Sequence, residues 1–134
     1  MVLVLLLILS CDLISSDSQE NYGACSRDIE EMLDFYEERG FVRILIDLAM
    51  DDFVPKHQLD EEEWREQRKE IIEFQNKFVN ILEKNEIKFS GLKKGSDPWL
   101  SMSVNEKEGL LFICNHKRVQ LVHHARLYSI PTPP

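Results

Sequence analysis

With helical patterns first and alternating patterns afterwards, the chain is predicted to be an α+β domain in which a long helix lies on a small antiparallel sheet. Three observations predict it. Apolar residues recur at helical spacing from Ile29 to Leu82. Asp60 and Glu63 stand as a capping box ahead of the longest such run, and after Asp97-Pro98 the pattern changes to alternation. The expected helices span about 26–39, 42–53 and 60–84, and the expected strands of a three-stranded meander span about 99–104, 110–114 and 119–130.

Ser26 offers a capping hydroxyl to the first helix, and Asp28, Glu30 and Glu31 fill its opening turns, where the dipole favours negative charge. Ile29, Met32, Leu33 and Tyr36 then form one buried face. Gly40 suits the left-handed residue that follows a helix, and Phe41 is expected to pack back on Tyr36.

Val42, Leu45, Ile46, Ala49, Met50 and Phe53 fit a second helix. A strand reading of the same stretch places Leu45 outward and gains only Ile44, Ile46 and Leu48, so the helix is the expectation. Pro55 ends it by biasing Val54 away from helical angles.

Asp60 opens the third helix, with Leu59 and Trp64 placed as a hydrophobic staple. Trp64, Ile71, Phe78 and Leu82 form its main stripe, widened by Ile72, Phe74, Val79 and Ile81. Glu61 with Arg65 and Glu73 with Lys77 add i, i+4 pairs. Arg68 and Gln75 fill heptad positions between the apolar ones, which favours packing within the domain over a dimeric coiled coil. Beyond it, Leu100, Met102 and Val104 share a strand face, turns are expected at 105–109 and 115–118, and Pro131, Pro133 and Pro134 stop further pairing.

The chain opens with an apolar run from Met1 to Leu9, about half of the ~20 residues that span a bilayer but a match to the apolar core of a secretory signal. Ile8-Leu9-Ser10-Cys11 resembles the lipobox of bacterial lipoproteins. The resemblance implies lipidation of Cys11, which becomes the new N-terminus and holds the protein on a membrane of the cell envelope. A second secretory reading cuts after Ser16 or Ser18 and releases the protein without Cys11. Residues 1–10 are accordingly read as signal peptide, 11–24 as a polar flexible tether, and 25–134 as a single domain.

With Cys11 lipidated or removed, Cys25 and Cys114 remain as an even pair for an oxidising compartment. A disulfide between them would close a loop worth about 4.5 kcal/mol in the chain-entropy model. The other reading is two thiols, with Cys114 filling the inner face of a strand.

Net charge is −8, divided unevenly. Residues 88–134 hold seven basic and three acidic side chains, a net +4, which leaves −12 on the first 87. Such asymmetry can steer partners of opposite sign; the other reading is that the two halves face each other or point to solvent.

Chemistry is sparse. Cys114, His116 and His123 form the one cluster with metal-ligand atoms, and His123 and His124, being adjacent, face opposite sides of a strand. No serine sits in a glycine-flanked elbow, no cofactor is implied, and Trp99, Phe112 and Tyr128 form no basic-aromatic repeat for nucleic acid. The expectation is a non-enzymatic, protein-binding module of the envelope, inhibitory or immunity-type, with Glu62, Glu66 and Glu70 as its binding face. The alternative is a small secreted enzyme or metal-binding protein using Cys114, His116 and His123.

Overall fold

The structure, a computed structural model, describes residues 22–125. A short 3-10 turn, Gly23–Cys25, leads into α1, Ile29–Arg39. Strand β1, Val42–Leu48, is followed by a second 3-10 turn, Lys56–Gln58, and by the long helix α2, Glu61–Lys84. A hairpin of β2, Phe89–Lys94, and β3, Trp99–Val104, then leads to α3, Lys107–Cys114, and β4, Val119–His124.

Three helices and antiparallel strands agree with the α+β class, but the elements interleave and no meander forms. The sheet has four strands in the order β2-β3-β1-β4, and every neighbouring pair is antiparallel. β1 and β2 run parallel with β3 inserted between them, and β3 and β4 run parallel with β1 inserted. Helices α2 and α3 make the two crossovers. This double split β-α-β connectivity is the ferredoxin-like arrangement, here preceded by α1.

Residues 42–48 form the central strand instead of a helix. Val42, Ile44, Ile46 and Leu48 are buried and alternate with half-buried Arg43, Leu45 and Asp47, a period of two. Leu45 does point to the outer face. The strand wins because both of its edges are satisfied, by β3 and by β4, whereas Ala49, Met50 and Phe53, which completed the helical pattern, lie in the following loop.

Residues 110–114 correct the expectation in the opposite direction. They belong to a helix, because Leu110, Ile113 and Cys114 fall at i, i+3 and i+4 and enter the core together. The unforeseen strand β2 hides its alternation behind a bulge. Gly91, at φ +62°, supplies the extra residue, so that Phe89 and Leu92 both reach the core while Ser90 and Lys93 pair with Ser103 and Ser101.

The remaining expectations fall close to the observed elements. The α2 capping box is present, with the Glu63 N–H donating to Asp60 Oδ1 at 2.8 Å and the Asp60 N–H to Glu63 Oε1 at 3.1 Å. Gly40 ends α1 at φ 78°, its N–H donating to the Tyr36 carbonyl at 2.7 Å. Ser26 does not cap α1: its hydroxyl donates to the Gly23 carbonyl, and Asp28 takes the N-cap position. Phe41 meets the ring of Phe35 edge-on instead of Tyr36. β4 begins at Val119 as expected, and the continuation toward Ile130 lies outside the described residues. Tyr22 and Ala24, assigned by sequence to the tether, pack against the core.

That core lies on one side of the sheet. Val42, Ile44, Ile46, Leu100, Met102, Val104 and Val122 face it from the strands, Phe78 and Leu82 from α2, Leu110 and Ile113 from α3, and Ile29 and Met32 from α1. Cys25 and Cys114 are joined by a disulfide that fastens the N-terminal turn to the end of α3. Among the described residues no helix is long and apolar enough to cross a membrane.

Candidate functional site

An acidic flank of α2 is the most coherent charged feature of the described surface. Glu62, Glu66 and Glu70 recur at i, i+4 and i+8, so they stand one above another, and all three are exposed. With Leu59, Asp60, Glu63 and Gln67 they line an open groove at the start of the helix. In the first turn, Glu61, Glu62 and Glu63 are favoured by the positive end of the helix dipole, whereas Glu66 and Glu70 lie beyond its reach and repel each other at i, i+4. Exposed cations lie alongside: Arg65 Nη2 is 2.7 Å from Glu61 Oε1, and Lys69 Nζ is 3.6 Å from Glu66 Oε1.

Gln67 keeps this end of the helix in place. Its Nε2 donates to the Val54 carbonyl at 2.7 Å, and the Val54 N–H donates to its Oε1 at 2.8 Å, so one amide side chain satisfies the backbone of the connecting loop as a strand neighbour would. Deeper along the same helix, Gln75 Nε2 reaches the carbonyls of Gly95, Asp97 and Trp99 at 3.0, 3.1 and 2.9 Å and ties the β2–β3 turn to α2.

The structure separates the residues of the alternative metal site. Cys114 is consumed by the disulfide. His116 follows α3 on the core side, its ring edge-on to Phe78 at 5.3 Å and its Nδ1 accepting from the Arg118 N–H at 3.1 Å. Burial, aided by the charges of Arg118 and Lys117, pushes the His116 pKa below its ordinary value. His123 is on the outer face of the sheet, where its Nε2 lies 3.2 Å from Asp47 Oδ2. Among the described residues no group of three His, Cys, Asp or Glu side chains is placed to hold a metal ion.

Sequence reasoning missed the Asp47–His123 pair because Asp47 fell in a segment read as helix. The available signal was the strand alternation of residues 42–48, which puts Asp47 on the same face as its neighbours across the sheet. Ser101 is buried on that face too, but the register sets Leu45 between Ser101 and His123, so these groups do not assemble as nucleophile and base. His124 turns the other way: its N–H donates to Asp28 Oδ2 at 3.0 Å, its ring meets Phe35 edge-on at 5.0 Å, and its Nδ1 is 3.9 Å from Glu31 Oε2. Cys11, the lipidation candidate, lies outside the described residues.

The chain matches no protein-family model, no curated protein and no solved structure.

Proposed function

We propose that this is an exported, lipid-anchored protein-binding module of the cell envelope, of the inhibitory or immunity type, which presents the acidic flank of α2 to a basic surface of another protein. The observation that carries the reading is the exposed column of Glu62, Glu66 and Glu70 on a helix that Gln67 and Gln75 fix rigidly to its surroundings. A column of like charge on a firmly seated helix suits electrostatic steering, because its field is displayed in one direction without an ordering cost at binding. The Cys25–Cys114 bridge accords with an oxidising compartment, and the lipobox-like Ile8-Leu9-Ser10-Cys11 accords with attachment through Cys11.

Two measurements test the two halves of this reading. Intact-mass analysis of the mature protein from a bacterial envelope should find a diacyl-bearing Cys11 as the first residue, and an unmodified Cys11 removes the anchor. For the partner captured on envelope membranes, the combined Glu62→Lys, Glu66→Lys and Glu70→Lys variant should associate at least about tenfold more slowly at low salt, with a flatter salt dependence and an unchanged fold. Equal association rates across the salt range rule this flank out.

A further inference from the structure

The opposite flank of α2 carries a cation without a counter-charge. Arg65 and Lys69 pair with Glu61 and Glu66 on the solvent side of the helix, but Arg68 takes part in no hydrogen bond or ion pair among the described residues. Sequence spacing explains this. The side chains within helical reach of Arg68, at −4, −3, +3 and +4, are Trp64, Arg65, Ile71 and Ile72, none of them acidic. Arg68 is half-buried and its Nη1 is buried without an acceptor, so the guanidinium has lost part of its water with nothing gained in return.

Its surroundings have the composition of a contact surface. Trp64 is half-exposed, with the Lys56 ammonium 4.9 Å from its ring centroid, and Ile72 is 39% exposed, one of two large apolar side chains so displayed among the described residues. Asn76 continues the flank one turn later and holds the ammonium of Lys94 at 2.5 Å. The strip thus combines an aromatic ring, an exposed aliphatic group and three cations, and it lies around the helix from Glu62, Glu66 and Glu70. Tryptophan and arginine at partly dehydrated positions dominate the energetics of protein contacts, and a guanidinium flanked by apolar groups binds a carboxylate more strongly than one in open water.

We propose that the Trp64–Arg68–Ile72 flank docks an acidic segment of a partner protein, a carboxylate set between apolar side chains, with Arg68 receiving the carboxylate and Trp64 and Ile72 receiving its neighbours. This surface is separate from the acidic flank and does not depend on it.

The test uses the mature full-length chain as bait for phage-displayed random peptides of about twelve residues, followed by anisotropy titration of the enriched peptides. Enriched peptides should carry Asp or Glu beside Leu, Phe or Trp. Their Kd should rise at least about tenfold with Arg68→Gln, rise with Ile72→Ser, and stay unchanged with Arg65→Gln. Replacing the peptide's own acid by its amide should cost a similar factor, a measurement that holds even if the Arg68 variant folds poorly. Failure to enrich acidic peptides, or affinities indifferent to Arg68→Gln and to the peptide amide, overturns the proposal. A wild-type dimer in sedimentation that Arg68→Gln dissociates also overturns it, by making a second copy the occupant.

Discussion

The backbone N–H of His124 donates to the carboxylate of Asp28 at 3.0 Å, joining residues 96 positions apart. Both residues are buried, and the bond fixes the start of α1 against the last residue of β4. Removing the acceptor leaves a buried amide without a partner. Asp28→Ala should therefore cost about 2 kcal/mol, and Asp28→Asn less, because its side-chain oxygen still accepts. Urea denaturation of the two variants beside wild type checks the order, and equal losses would show that acceptor chemistry is not what Asp28 supplies.

The Cys25–Cys114 bridge spans a separation of 89 residues and nearly encloses the described domain. Both sulfurs sit in the core, with Cys25 fully buried and Cys114 nearly so. Losing a loop constraint of this length costs on the order of 4 kcal/mol in the chain-entropy model, enough to lower Tm by more than about 10 °C in a domain of this size. Thermal melts with and without reductant should show that drop, and native protein should resist alkylation until it is both unfolded and reduced. Rapid labelling of two thiols in the native state would refute the bridge.

How far the fold was legible depended on whether the deciding partner was near in sequence. The capping box of Asp60 and Glu63 and the left-handed Gly40 are local, and both are found where the residues place them. Residues 42–48 were ambiguous because Val42, Leu45 and Ile46 fit a helix as well as a strand, and what decides is the presence of β3 and β4 some 50 to 80 positions later. Leu110 to Cys114, a continuous apolar run, carries no period of its own. The exposed acids of α2 were readable from helical spacing alone. Asp47 with His123, Gln75 with the β2–β3 turn, and Arg68 without an acid are products of the tertiary fold, although the absence of acids at helical spacing from Arg68 is written in the sequence.

Gln75 offers two amide hydrogens to three carbonyls, while its own Oε1 is buried without a partner. Gln75→Leu should cost on the order of 2–4 kcal/mol, since it strands carbonyl groups of the β2–β3 turn. Gln75→Glu should cost more at neutral pH, where a carboxylate would face those oxygens. Its folded pKa is then raised, so the penalty grows as pH climbs above the unfolded value near about 4.3 and shrinks below it. Denaturant midpoints of the Glu variant at about pH 4 and 7, each referred to wild type, measure this. A penalty independent of pH would mean that the amide donors are dispensable.

His116 sets a second pH dependence with a different window. Burial lowers its folded pKa below the ordinary 6.5, with Arg118 and Lys117 adding to the effect, so the folded state favours the neutral ring. Between the folded and unfolded pKa values the unfolded chain binds more protons, and stability therefore rises with pH there. The contribution is fully present above about pH 6.5 and is lost as pH falls through the folded value. His116→Phe keeps an aromatic ring beside Phe78 and Phe112 but removes both the titrating group and the acceptor of the Arg118 N–H. It should lower stability by about 1 kcal/mol near pH 7 and by less near pH 5, where the wild-type ring is itself a liability. His57, His123 and His124 remain in both proteins, so the difference between the two stability curves isolates His116. Parallel curves from pH 5 to 7 would show that its titration is not linked to folding.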